Sequence, residues 1–175
     1  MTDKKKNILG TALRLFANEG YIATSTNKIA KEAGVSEGLI FRHFKNKDGL
    51  LSAIIKEGED MAKSTFADIV FEPTPQEVIR KTLELSRDIA KNKKLADFWK
   101  LQYKIKWEVE HYGEQKMEPL KLALANAFSK LGYKSPELEA RLLLVNMDGL
   151  ATQFFLQENF DLDTYVDFMQ DKYNT

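Results

Sequence analysis

The sequence predicts an all-α protein, a small three-helix head followed by a larger helical bundle. Apolar residues recur three and four apart in one segment after another, and no stretch shows the alternation of a half-buried strand. Helix stop and start residues fall between those segments, as at Gly34 before Ser36 and at Gly132 before Ser135, Pro136 and Glu137. The clearest break is FEPTPQ, Phe71 to Gln76, with prolines at 73 and 75.

The first element is an amphipathic helix over Lys4 to Glu19. Ile8, Leu9, Ala12, Leu13, Phe16 and Ala17 share one face, and Gly20 closes it. Ser25 is an oxygen-bearing N-cap for a two-turn helix over Thr26 to Ala33, with Ile29, Ala30 and Ala33 facing inward. Gly34 ends that helix in the left-handed conformation without a Cβ penalty. Ser36 is the next N-cap, and Val35 and Ile40 stand at the spacing of a hydrophobic staple. Small Ala30 lets the third helix pass closely across the second. That is a helix-turn-helix arrangement, whose second helix is narrow and exposed enough to enter a major groove.

Asn46 caps a fourth helix, which runs to about Phe66 on an inner face of Leu50, Leu51, Ile54, Ile55, Met61 and Phe66. Beyond the proline break, periodicity predicts helices over Gln76 to Lys91, Lys93 to about Tyr112, Met117 to Leu131, Pro136 to Leu156 and about Asp163 to Tyr173.

The helix from Pro136 to Leu156 is apolar around nearly its whole circumference. Such a helix must be buried on every side, and this bundle is too small to surround it alone. A partner subunit is the natural second cover; the alternative is the central helix of a monomeric bundle. Paired with the stripe from Met117 to Leu131, it predicts a four-helix dimer interface carried by Leu120, Leu124, Phe128, Leu143, Met147, Leu150 and Phe154.

The chain has 175 residues, no cysteine and a formal net charge of zero. Lack of cysteine excludes a disulfide framework, a thiolate metal site and a cysteine nucleophile. No apolar run approaches membrane-spanning length, and MTDKKKNILG has no signal-peptide core, so a cytoplasmic protein without membrane contact is expected. Zero net charge at first argues against nucleic acid. Residues 1–50, however, carry nine Lys and Arg against five Asp and Glu, and residues 51–175 carry seventeen against twenty-one. A basic front joined to an acidic remainder suits a protein whose front end meets phosphate.

The run FANEGYIATSTNKIAKEAGVSEGLIFRHFKNKDGLL, Phe16 to Leu51, resembles the TetR family of bacterial transcriptional regulators. GY-x-A-T-S, the turn AGVS, F-x-x-F-K-N-K and the following pair of leucines all fall in register. The resemblance covers about a quarter of the chain and is only architectural beyond residue 55. It implies a helix-turn-helix DNA-binding domain over residues 1–46 and an effector-binding and dimerisation domain over 47–175. It further implies a homodimer on a near-palindromic DNA operator, a repressor released by a small-molecule effector. By position, Ser25, Thr26 and Asn27 would meet the DNA backbone. Glu37, Gly38, Leu39, Phe41, Arg42 and His43 would lie in or beside the groove, and Lys47 would bind phosphate. The family usually has tyrosine where this chain has Phe41, which removes a phenol–phosphate hydrogen bond.

Residue chemistry supports part of that placement independently. If Ile40 and Phe44 face the core, Gly38, Leu39 and Arg42 face away from it, with Phe41 and His43 on the flanks. Arg42 is the best candidate for a bidentate bond to guanine, and Leu39 for contact with a thymine methyl. Lys45 and Lys47 stand at the first turn of the next helix, where free N–H groups already favour an anion. Glu37 either complements the helix dipole or accepts from a cytosine amino group. His43 either packs on its neighbours, touches phosphate or reads a base.

Trp99, Tyr103 and Trp107, with Phe98 nearby, form an aromatic stripe that is either the wall of an apolar effector pocket or plain core. Asn146 interrupts the late apolar helix and either binds the effector or a partner, or lies at an exposed edge. No catalytic constellation is visible: the two histidines, His43 and His111, are far apart and lack metal-ligand spacing. Neither enzyme nor cofactor is expected. The competing reading is a helical regulatory protein that acts through protein partners without operator binding.

Overall fold

The structure, a computed structural model, describes residues 2–108 and 114–175, and their side chains except those of residues 65, 106, 107 and 114–116. Among the described residues there are helices and no strand. The helices are α1 (Asp3–Glu19), α2 (Thr26–Ala33), α3 (Glu37–Phe44), α4 (Lys47–Val70), α5 (Pro75–Lys91), α6 (Lys93–Glu108), α7 (Glu114–Lys130), α8 (Pro136–Leu156) and α9 (Leu162–Tyr173). α2 and α8 begin and end where periodicity and punctuation place them. α4 runs four residues past Phe66, because nothing before Pro73 breaks it. Of the serine caps, Ser25 accepts a hydrogen bond from the Lys28 N–H, whereas the Ser36 and Ser135 hydroxyls make no capping bond.

Packing divides the chain into two compact units. The first comprises residues 1–62 and 92–112, the second residues 63–91 and 113–175. The sequence cuts once, at residue 46, by expected function; packing instead gathers α6 and most of α4 with the head.

The first unit is built around α1. Its buried face, Ile8, Leu9, Ala12, Leu13, Phe16 and Ala17, is the one that periodicity selects. It packs against Ile29 and Ala30 of α2, Ile40 and Phe44 of α3, Leu50 and Ile54 of α4, and Phe98 and Leu101 of α6. Glycine is required where α4 meets α6, since a Cβ on Gly58 would stand 1.9 Å from the Phe98 ring. Two lysines of α6 hold the end of α1: Lys100 donates to Asn18 Oδ1 at 3.0 Å and Lys104 to the Asn18 carbonyl at 2.8 Å.

The second unit packs α5, α7, α8 and α9 with the end of α4, around Ile69, Ile79, Leu83, Leu120, Leu124, Phe128, Leu143 and Val166. Arg87 of α5 ties α9 down, donating to Asp163 and Asp167 as well as to Glu84 on its own helix.

The residues expected at the dimer interface lie on the inner side of the second unit. Leu120, Leu124, Phe128, Leu143 and Leu150 are buried in the unit's own core, with Met147 and Phe154 packed against it. Met147 and Phe154 remain partly exposed. The apolar residues α8 does expose are Leu138, Leu142, Val145 and Leu156, which share the opposite face at helical spacing. A helix apolar on both faces does not say in its sequence which face is which.

Candidate nucleic-acid interface

The head presents a short turn between two short helices. Gly34, at φ 64° and ψ 37°, reverses the chain after α2. Its N–H bonds to the Lys31 carbonyl, while the Val35 N–H reaches the Ala30 carbonyl at 3.0 Å, so the last carbonyls of α2 are satisfied locally. Asn7 of α1 donates to the Ala33 carbonyl at 2.8 Å and fixes this end of α2 to the core helix. α3 then seats on Ile40 and Phe44 and turns its remaining residues outward.

On that outward side, Gly38, Phe41 and Arg42 are exposed, as are Ser25 and Asn27 at the start of α2. A Cβ on Gly38 would meet nothing within 4 Å, so packing does not demand glycine there. Leu39 is the exception. It is half-buried and packs against the core beside Ile40, so it does not project freely as the wheel suggests. His43 is half-buried with its ring edge-on to Phe44 at 6.0 Å, a flank position. Glu37 accepts a 2.6 Å hydrogen bond from the Thr26 hydroxyl, which joins the first turns of α2 and α3. Both side chains are thereby engaged with each other.

The corner after α3 is strained. Lys45 has φ 71° and ψ −50°, and the Asn46 N–H closes onto the Phe44 carbonyl at 2.9 Å. A non-glycine residue in this positive-φ turn costs free energy and persists only where its surroundings hold it. Asn46 caps α4, accepting from the Gly49 N–H at 2.7 Å. Gly49 itself is obligatory, since a Cβ there would lie 2.0 Å from the Phe44 carbonyl oxygen. Lys45 stays exposed at this corner. Lys47, by contrast, is half-buried and folds back onto the loop between α1 and α2. Tyr21 in that loop donates to Asp48; burial, then Asp48, pushes its phenol pKa well above the ordinary value. Tyr21 falls within the GY-x-A-T-S run, but its spacing does not show that its hydroxyl meets Asp48, 27 residues on.

Residues 8–54 match the family model described as bacterial regulatory proteins, tetR family. The helix-turn-helix head is thus of the tetR-family type. A relative, the uncharacterised helix-turn-helix transcriptional regulator YerO of Bacillus subtilis, is 37% identical over 87 residues, 47% of this chain and 30% of its own length. The chain thus spans about a third of that relative. The fold extends further. A TetR-like transcriptional regulator from Rhodococcus sp. RHA1 superposes with a TM-score of 0.81 over 97% of this chain and 93% of its own, at 20% identity. AibR, in a structure with isovaleryl coenzyme A and operator DNA, reaches 0.73 over 97% of each chain, also at 20% identity. YerO and the Rhodococcus protein are both described as transcriptional regulators.

The aromatic stripe of α6 separates. Phe98 is 3% exposed and sits in the core of the first unit against Gly58, its ring edge-on to Trp99 at 6.0 Å. Trp99 packs on the same core. For Phe98 and Trp99 the structure supports core packing over a pocket wall. Tyr103 is half-buried on α6, and the Trp107 side chain lies outside the described residues. Asn146 is exposed on α8 in the second unit. A cavity of about 30 Å³ in that unit, lined by residues that include Glu72, Asn126 and Lys130, has room for little more than water. No described helix is long and apolar enough to cross a membrane.

Proposed function

We propose that the chain is a cytoplasmic repressor that binds a near-palindromic operator as a homodimer and is released by a small-molecule effector. The observation that carries the reading is the α2–α3 face, where a recognition helix seated on Ile40 and Phe44 leaves Gly38, Phe41 and Arg42 exposed. Arg42 is the base reader, by a bidentate bond to guanine, and Gly38 admits close approach of the backbone. Ser25, Asn27 and Lys45 meet phosphate. Two heads on one dimer match half-sites about 34–36 Å apart, the spacing of adjacent major grooves on one side of the duplex.

The exposed stripe Leu138, Leu142, Val145 and Leu156 supports a second copy as the cover of α8. AibR, which shares the fold, is described in complex with isovaleryl coenzyme A and operator DNA, which supports a fold able to serve both a small ligand and an operator. An effector that fits a conformation with the heads at another separation weakens DNA binding by its differential affinity for the two states. The test is a gel shift with duplex fragments from upstream of the gene itself. Retardation that weakens steeply with salt is expected. Absence of salt-sensitive binding to any fragment sinks the reading and favours a regulator that acts through protein partners.

A further inference from the structure

The loop over residues 20–25 exposes a run of backbone carbonyls, and the structure accounts for each of four in turn. The Thr24 hydroxyl, buried, donates to the Gly20 carbonyl at 2.7 Å. The Lys47 ammonium donates to the other three: Tyr21 at 2.9 Å, Thr24 at 3.1 Å and Ile22 at 3.3 Å. An ammonium has three donors, so this cage saturates it. The Tyr21 ring lies 4.3 Å from the same nitrogen, and the Tyr21 hydroxyl reaches Asp48, the residue after Lys47. No N–H of Lys47 remains for a phosphate oxygen unless a carbonyl is given up.

We propose that Lys47 is a positioning residue that sets the start of the helix-turn-helix, rather than the phosphate ligand that the family resemblance makes it. The proposal rests on the DNA-binding reading above. Thr24 O, held by Lys47, directly precedes the Ser25 cap of α2, and the Thr26–Glu37 bond carries that position to the first turn of α3. Lys47 also opens α4, directly after the strained corner that ends α3. The clamp therefore closes a ring: loop, α2, α3, corner, and back to the loop. Both ends of the reading element are fixed to one side chain.

Lysine and arginine distinguish the two roles, because a phosphate ligand works with either cation. A planar guanidinium fans its donors in a fixed fork and cannot converge on three carbonyls. The experiment compares Lys47→Arg, Lys47→Met and Tyr21→Phe in the full chain. The readouts are duplex affinity across a salt series and amide hydrogen exchange without DNA, with circular dichroism to check folding. Lys47→Arg is expected to lose on the order of tenfold in affinity for all sequences alike, despite its unchanged charge. Amides of residues 22–28 are expected to exchange faster in both lysine variants, and mildly faster in Tyr21→Phe, which keeps the ring and deletes the bond to Asp48. Wild-type affinity in Lys47→Arg, with a salt slope lowered by about one in Lys47→Met, makes Lys47 a phosphate ligand and overturns the proposal. If the wild type binds no duplex, the functional reading fails and exchange alone decides the clamp. Unchanged exchange in both Lys47→Met and Tyr21→Phe overturns it.

Discussion

α3 and α8 both carry residues that their own unit does not cover, and the two outward faces have opposite chemistry. α3 seats Ile40 and Phe44 and leaves Gly38, Phe41 and Arg42 exposed, a sparse face with one cation and room for close approach. α8 seats Ala140, Leu143 and Leu150 and leaves Leu138, Leu142, Val145 and Leu156 exposed. A face that carries a cation tolerates water. A contiguous apolar stripe gains free energy when another apolar surface removes it from water. Exposure alone assigns no role.

The largest effect that tests this contrast separates the two faces of α8. Leu143→Ala, at a fully buried position, is expected to cost about 2–5 kcal/mol of stability, read as a lower denaturant midpoint. Leu142→Ala, one residue away but 47% exposed, is expected to stay within about 0.5 kcal/mol under monomeric conditions. Equal losses at both positions would break the assignment of inner and outer faces. Next, the pair Leu142→Glu and Val145→Glu is expected to leave the helical content intact and yield monomers by sedimentation. Operator affinity should fall about a hundredfold with the loss of the second head. A double variant that stays dimeric removes this stripe from the interface.

On α3, Arg42→Ala is expected to relax preference at one base pair at a cost of about 1–3 kcal/mol. A selection from randomised duplexes reads it directly, and unchanged base preference would end the base-reading role. The smallest effect on folding belongs to Gly38→Ala. Its Cβ meets no atom, so stability is expected to hold or rise by up to about 1 kcal/mol while duplex affinity falls. A variant that is both as stable and as tightly bound as the wild type shows that the DNA backbone does not approach Gly38.

The head was largely legible before its structure. Its helices are short, and Ser25, Gly34 and Asn46 act through contacts within four residues, so their roles follow from local spacing. Leu39 shows where that reading thins: on a two-turn helix wedged among neighbours, a position beside Ile40 is half covered whichever way a wheel is drawn. Glu37 was open between helix dipole and base contact, and the structure adds a third role, an acceptor for the Thr26 hydroxyl across the turn. The aromatic stripe of α6 was equally open. Phe98 found Gly58, forty residues earlier in the chain, and no periodicity within α6 indicates that a glycine elsewhere leaves room for its ring.

By itself, then, the sequence determined the all-α class, the helix-turn-helix and the basic front that bears it, because caps, glycine stops and apolar spacing are encoded within a turn or two. Only the tertiary structure decided which apolar face of α8 is core, that α6 packs with the head, and that Lys47 turns inward to cage three carbonyls. Those outcomes depend on which distant surfaces meet and which buried acceptors need a donor. A donor's partner is set by position in space, and Lys47 reaches back 23 residues to find Thr24.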